Sequence, residues 1–160
     1  MGTLLEVEDL QVEFDTWDGR TRVLDGVSFS VNAGETLGIV GESGCGKSMT
    51  ALAIMGLVPQ PAGHITGGRI AFDGVDLLRA GEARLRELRG DRIAMIFQEP
   101  MTSLNPVFPI GEQIAEAARL HLGLSAAAAR QRAIAMLKAV HIPEAERRVD
   151  EYPHQFSGGM

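Results

Sequence analysis

Residues 41–48 are the part of the chain whose types and spacing point most clearly to chemistry. They match the pattern G-x-x-x-x-G-K-[ST] and read Gly41-Glu42-Ser43-Gly44-Cys45-Gly46-Lys47-Ser48. Glycines allow successive backbone N–H groups to converge on phosphate oxygens, and a helix that starts there adds the positive end of its dipole. Lys47 can supply a positive charge to the β and γ phosphates, and the Ser48 hydroxyl can bind Mg²⁺. The motif therefore predicts a nucleotide site.

Two plainer interpretations of this stretch compete with the phosphate loop. A simple glycine-rich turn would leave unexplained why Lys47, one of only two lysines, falls at this position. Cys45 could be a reactive thiol at a helix start, but its variable place in the motif favours a small space-filling residue. We therefore expect residues 41–48 to bind phosphate and Cys45 to have no nucleophilic role.

The segments on either side of the loop provide the context that the motif requires. Residues 37–40 are a short continuous apolar run, which predicts a buried parallel strand leading into the loop. Residues 49–57 are compatible with a helix, and Gly56 and Pro59 mark its end. A strand, a loop and a helix in this order are typical of a phosphate-binding unit.

Apolar residues alternate through residues 5–31, which predicts antiparallel strands with one solvent-exposed face. Turns are expected at Asp18-Gly19 and at Asp25-Gly26. After a loop over residues 59–68, a further two-faced strand is expected around Ile70 and Phe72. Asp73-Gly74 should close it.

The second half of the chain is mainly helical by pattern. Residues 82–90 predict a short charged helix, and residues 92–97 a second buried strand that ends at Gln98. Two alanine-rich helices are expected over residues 110–122 and 126–140, the second with Ser125 as N-cap. One face of that second helix should be buried, through Ala129, Ala133, Met136, Leu137 and Val140.

Composition excludes several classes of protein. The 160 residues carry a formal charge of -6, so a global basic field for nucleic acid is absent. No apolar run approaches the roughly 18 residues of a membrane span, and no signal peptide is expected. The four histidines lack metal-ligand spacing, and a single cysteine fits a reducing compartment.

Two further segments resemble the ATP-binding cassette ATPases. Gln98 closes the second apolar run, and Phe156-Ser157-Gly158-Gly159-Met160 resembles the start of their signature sequence. Phe14 resembles the aromatic residue on which these proteins stack adenine, with Trp17 as a rival and an ordinary core phenylalanine as the plain alternative.

Within that superfamily, three runs resemble the oligopeptide and dipeptide importers and their nickel and glutathione relatives. These runs are residues 98–106, 111–114 and 151–155. The resemblance implies an α/β P-loop NTPase of the ABC ATPase type, with an antiparallel β subdomain and an α-helical subdomain. It implies a partial nucleotide-binding domain over residues 1–160, divided into residues 1–98 and 99–160.

The resemblance also implies a mechanism in which two ATPase domains, identical or homologous, pair head to tail. ATP would lie between the phosphate loop of one domain, with the Met49 amide added, and Ser157, Gly158 and Gly159 of the other. Gln98 would contact Mg²⁺ or the attacking water, and Ser48 would be the other Mg²⁺ ligand. Two membrane permease subunits and an external substrate-binding protein would complete an importer on the cytoplasmic face of the bacterial membrane, with no nucleic acid partner.

The family's next strand, with its Mg²⁺-binding Asp, catalytic Glu and later switch His, is not among these 160 residues. The C-terminal part of the core sheet is therefore expected to be absent here, and the chain alone to be inactive in hydrolysis. The leading hypothesis is the energy-coupling ATPase subunit of a peptide importer. The alternatives are a hydrolysis-incompetent nucleotide-binding remnant, the same role in nickel or glutathione import, and a soluble ATPase of DNA repair or translation.

Overall fold

The alternating apolar residues at the start of the chain form an antiparallel sheet, as predicted. The computed structural model describes residues 2–97 and 103–160, and these form two compact units, within Met1–Arg89 and within Gly90–Met160. In the first unit four strands lie in the order β2-β1-β3-β4. They are β1 (Thr3–Thr16), β2 (Gly19–Asn32), β3 (Gly63–Phe72) and β4 (Val75–Asp76). One face of the sheet is buried, through Val7, Leu10, Val12, Leu24 and Ile70.

The predicted turns are confirmed at two of three positions. Thr16 pairs with Gly19, so Asp18 lies in a tight hairpin turn. Asp73 and Gly74 both have positive φ, which suits the two-residue hairpin between β3 and β4. The loop predicted over residues 59–68 is shorter than expected, because β3 already begins at Gly63.

The turn predicted at Asp25-Gly26 was wrong, because these residues lie inside β2. Leu10 pairs with Val27 whereas Val12 pairs with Leu24, so β2 carries one residue more than β1 over this stretch. Gly26 takes up the irregularity with a φ of 74°. The dipeptide therefore marks a β-bulge in one continuous strand.

The helix predicted after the phosphate loop is present as α1 (Lys47–Ile54) and ends before Gly56, whose φ is 64°. The charged helix is present as α2 (Glu82–Leu88). Arg89, which follows α2, donates from Nε to the Met55 carbonyl at 2.7 Å and from Nη2 to the Gly56 carbonyl at 3.1 Å. It thereby satisfies carbonyls at the end of α1 that have no partner in the helix itself.

Arg89→Ala is expected to lower the free energy of unfolding by about 1.5–3 kcal/mol, because two charge-assisted hydrogen bonds are lost. The Arg89 side chain is only 20% exposed, so solvent replaces these bonds poorly. Urea denaturation of the full-length protein would measure the change. Arg86→Ala removes an exposed arginine of α2 and should shift stability by less than about 0.5 kcal/mol. Equal midpoints for the two variants would contradict the anchoring role of Arg89.

The two buried parallel strands predicted at residues 37–40 and 92–97 are not formed. Neither segment belongs to the sheet that the described residues build. Residues 37–40 are exposed, with Val40 at 93%, and residues 92–97 are exposed or half-buried, with Ile96 at 97%. An apolar run becomes a buried strand only where neighbouring strands pair with it and other elements cover its faces. The prediction of strand and burial was therefore wrong for these residues.

The second unit is helical, as expected. It contains α3 (Ile110–Leu122), α4 (Ala126–Ala139), α5 (Ala145–Arg148) and a 3-10 turn over Pro153–Gln155. The Ser125 hydroxyl accepts from the Ala128 amide at 3.3 Å, which confirms the predicted N-cap. The core of this unit comprises Ile110, Ala115, Ala118, Ala129, Ala133, Ile134, Leu137, Ile142, Ala145 and Val149.

The predicted buried face of α4 is confirmed for Ala129, Ala133 and Leu137 but not for Val140. Val140 is 68% exposed because it lies beyond the end of α4, where it no longer shares the helix face. Met136 is half-buried, and Ile134 joins the core in a place that the pattern did not predict. In the described part of the chain no helix is both long and apolar enough to cross a bilayer.

Candidate nucleotide-binding site

The phosphate loop turns sharply into α1 at two glycines. Gly44 has a φ of 84°, and Gly46, the N-cap of α1, has a φ of 96°. A Cβ on Gly46 would stand 2.5 Å from Leu24 Cδ2 and 3.3 Å from the Val23 carbonyl oxygen, both on β2. Gly46 is therefore required both for its backbone conformation and for the close approach of the loop to the sheet.

Lys47 places its charge inside the loop. Its Nζ donates to the carbonyl oxygens of Gly41 and Glu42, each at 2.7 Å, and lies 3.4 Å from Cys45 Sγ. The ammonium group therefore lies against the loop of residues 41–46, next to the start of α1. A positive charge and a helix N-terminus at one place form an environment suited to a polyanion.

Thr50 holds the start of α1, a role that the sequence motif did not predict. Its amide and its hydroxyl both donate to the Gly46 carbonyl, at 2.8 and 3.0 Å, and the residue is 4% exposed. The sequence signal was a hydroxyl residue four positions after the N-cap glycine. A Cβ on Gly41 would lie 2.5 Å from Cys45 Sγ, so the thiol occupies the space that this glycine leaves.

The side chains proposed for metal and phosphate binding are accessible. Ser48 is exposed on the first turn of α1, as are Glu42 and Ser43 in the loop, and Met49 is half-buried. Over residues 2–97 and 103–160 there is no group of three or more His, Cys, Asp or Glu residues that could hold a metal ion. The Ser48 hydroxyl, an oxygen ligand of the kind that magnesium prefers, is open to solvent at the start of α1.

The two aromatic candidates for adenine stacking differ in their surroundings. Phe14 lies on β1, where it pairs with Thr21 of β2 and Gly63 of β3, and it is half-buried. Its ring packs against Gly63 in the space that a side chain at that position would occupy. Trp17 lies at the hairpin turn and is 97% exposed. Phe14 is therefore packed with an accessible part of its ring, whereas Trp17 is free in solvent.

Asp15, which follows Phe14 on β1, is bonded to two basic side chains. His64 Nε2 lies 2.8 Å from Asp15 Oδ2, and Arg20 Nε donates to Asp15 Oδ1 at 3.0 Å. The hydrogen bond with His64, followed by that with Arg20, lowers the pKa of Asp15 below its usual value. These two hydrogen bonds therefore favour the charged form of the Asp15 carboxyl.

The signature residues lie in the second compact unit. Ser157, Gly158 and Gly159 are exposed, and the Met160 amide donates to the Ser157 carbonyl at 2.9 Å, which closes one turn. Gln98 lies outside the described residues. Residues 41–49 therefore lie together in the first unit, and the signature residues lie in the second.

Comparisons with known proteins show the family of this chain. The family model described as ABC transporter matches residues 24–160. The probable peptide ABC transporter ATP-binding protein y4tR of Sinorhizobium fredii is 53% identical over 157 residues, which are 98% of this chain and 47% of that protein. The oligopeptide transport ATP-binding protein OppD of Bacillus subtilis is 50% identical over 157 residues, 98% of this chain and 44% of that protein. The chain thus spans about half the length of these curated relatives.

A solved structure gives the same fold. The dimeric post-hydrolysis state of the ATP-binding cassette MJ0796, bound to ADP and Pi, superposes with a TM-score of 0.82 at 24% identity. The match covers 97% of this chain and 64% of that one.

Fold and sequence together define an α/β P-loop fold of the ABC ATPase type, with an antiparallel sheet. The chain belongs to the ABC transporter family. The resemblance to the ATP-binding cassette ATPases, and the fold class that it implied, are confirmed.

Proposed function

We propose that this chain belongs to the ATP-binding, energy-coupling subunit of an ABC importer for peptides. The observation that carries the proposal is the position of Lys47, whose ammonium group lies within the glycine loop at the start of α1. The names of the relatives support the substrate class, since y4tR and OppD are described as peptide and oligopeptide transport proteins.

The loop can bind the phosphates of ATP by an exchange of partners. Lys47 Nζ now donates to two carbonyl oxygens, and its flexible side chain can turn to the β and γ phosphates instead. Backbone amides of residues 41–49 would donate to the remaining phosphate oxygens, and Phe14 would stack on adenine. Ser48 and Gln98 would bind Mg²⁺, which when bound neutralises charge on the β and γ phosphates.

Hydrolysis would take place between two such subunits. Ser157, Gly158 and Gly159 would donate to the γ-phosphate held by the partner's loop, where their exposed backbone can reach a second molecule. Two permease subunits and an external substrate-binding protein would complete the importer, with this subunit bound peripherally at the cytoplasmic face of the membrane.

The experiment that tests this function combines nucleotide binding with transport. Calorimetric titration of Mg·ATP into the full-length protein should show saturable binding, and the purified transporter should hydrolyse ATP. A strain that lacks the gene should lose uptake of labelled di- and oligopeptides, while nickel and glutathione uptake persists. Loss of nickel or glutathione uptake alone would overturn the peptide assignment, and binding without hydrolysis would overturn the energy-coupling role.

A further inference from the structure

The first turn of α3 is bonded to two separate loops of the helical unit. Its backbone amides face the segment before the signature, where Ile110 N–H donates to the Glu151 carbonyl at 2.9 Å and Gly111 N–H to the Val149 carbonyl at 2.8 Å. These donors have no partner inside the helix, because the first turn of any helix leaves its N–H groups free. The segment before the signature thus satisfies the helix start.

The Gln113 side chain binds the other loop. Its Oε1 accepts from the Asn105 amide, and its Nε2 donates to the carbonyls of Asn105 and Phe108, all at 2.9 Å. The turn of residues 105–108 is also held internally, since the Val107 amide donates to Asn105 Oδ1 at 3.1 Å. A single glutamine therefore satisfies three backbone groups of this turn.

The segment before the signature is itself rigidly bonded up to Phe156. The Tyr152 amide donates to Gln155 Oε1 at 2.8 Å, and Arg148 donates from Nη1 to Glu151 Oε2 at 2.9 Å. The Arg148 guanidinium also lies over the Phe156 ring, 5.7 Å from its centroid. Ser157 follows directly, so bonded groups connect the signature with the first turn of α3.

We propose that Gln113 is a positioning residue that joins the turn of residues 105–108 to the segment before Ser157, through the first turn of α3. The inference rests on the proposed function, in which Ser157 touches nucleotide. Nucleotide at the signature then changes the environment of residues 105–108, and by linkage a contact at that turn changes nucleotide binding. This assigns a role to the run of residues 111–114, which the phosphate chemistry does not use.

The test is hydrogen exchange on the full-length protein in its intact transporter, with and without Mg·AMP-PNP. The reporters are the amides of Val107 and Phe108, which bond to Asn105 and not to Gln113. In the wild type we expect nucleotide to slow their exchange by about 5-fold or more. In Gln113→Ala this response should disappear, whereas the nucleotide response of residues 41–48 should persist.

Two further variants separate positioning from simple stabilisation. Gln131→Ala removes an exposed glutamine of α4 and should respond like the wild type. Gln113→Glu keeps the shape of the side chain and the acceptor for the Asn105 amide, but it turns a carboxylate oxygen toward the carbonyls of Asn105 and Phe108. It too should lose the response, and it tests the role of Gln113 even if the alanine variant folds poorly.

The outcomes distinguish the two proposals. A full response of Val107 and Phe108 in Gln113→Ala, or no response in the wild type despite protection of residues 41–48, would overturn the role of Gln113. Absence of any protection at residues 41–48 in the wild type would instead overturn the proposed function.

Discussion

Lys47→Ala is expected to weaken ATP binding by the full-length protein by about 10- to 100-fold, the equivalent of about 1.5–3 kcal/mol for a charge-assisted contact. The lost group is the ammonium that lies within the loop, 2.7 Å from the carbonyl oxygens of Gly41 and Glu42. Without it, those carbonyls would face the incoming phosphates with no cation between them. Calorimetric titration of Mg·ATP would measure the change in Kd.

The chain offers a matched control in its other lysine. Lys138 lies on α4, is exposed and pairs with Glu146, so Lys138→Ala removes the same charge far from the loop in sequence. We expect its Kd for ATP to stay within about 2-fold of the wild type, since exposed ion pairs contribute little. An equal loss of affinity in both variants would mean that net charge, and not the loop, determines binding.

Gly111→Ala is expected to destabilise the helical unit by about 3 kcal/mol, although glycine to alanine inside a helix usually stabilises by about 0.5–1 kcal/mol. The sign reverses because a Cβ on Gly111 would lie 2.2 Å from Val149 Cγ2 and 2.5 Å from the Val149 carbonyl oxygen. Val149 is 1% exposed, so its side chain has no free space to enter. Relief of the clash would break the hydrogen bond from Gly111 to Val149.

Chemical denaturation of the full-length variant would measure this loss. Gly81→Ala is the control, because nothing lies within 4 Å of a Cβ on Gly81 and its φ of -66° suits any residue. Its stability should change by less than about 1 kcal/mol. If Gly111→Ala matched the control, the close packing of α3 against Val149 would be wrong.

Local patterns predicted the parts of the fold that depend on neighbours in sequence. The hairpin turn at Asp18-Gly19 and the N-cap Ser125 each satisfy backbone groups within a few residues. Alternation and helical period likewise placed β1, β2, α3 and α4. The dipeptide Asp25-Gly26 shows the limit of such signals, because the same residues suit a turn and a bulge, and pairing with β1 decides between them.

Contacts between distant parts of the sequence leave no local pattern. Arg89 reaches the end of α1 across 33 to 34 positions of the chain, and its sequence neighbourhood showed only a charged helix. The apolar residues 37–40 suit a buried strand by their pattern, yet burial depends on which other segments pair with and cover them. A run of apolar residues indicates that a segment must be covered, but it does not indicate which other segment covers it.

For the site, the sequence by itself determined the residue types and the spacing of the expected phosphate loop over residues 41–48, because the positive φ of Gly44 and Gly46 is a local backbone requirement. The tertiary structure decided what surrounds that loop: Leu24 beneath Gly46, Thr50 on the start of α1 and the half-buried ring of Phe14. It also decided that the Gln113 side chain forms hydrogen bonds with the turn of residues 105–108. These contacts join residues that a linear pattern cannot connect, since they come close only when the strands and helices pack.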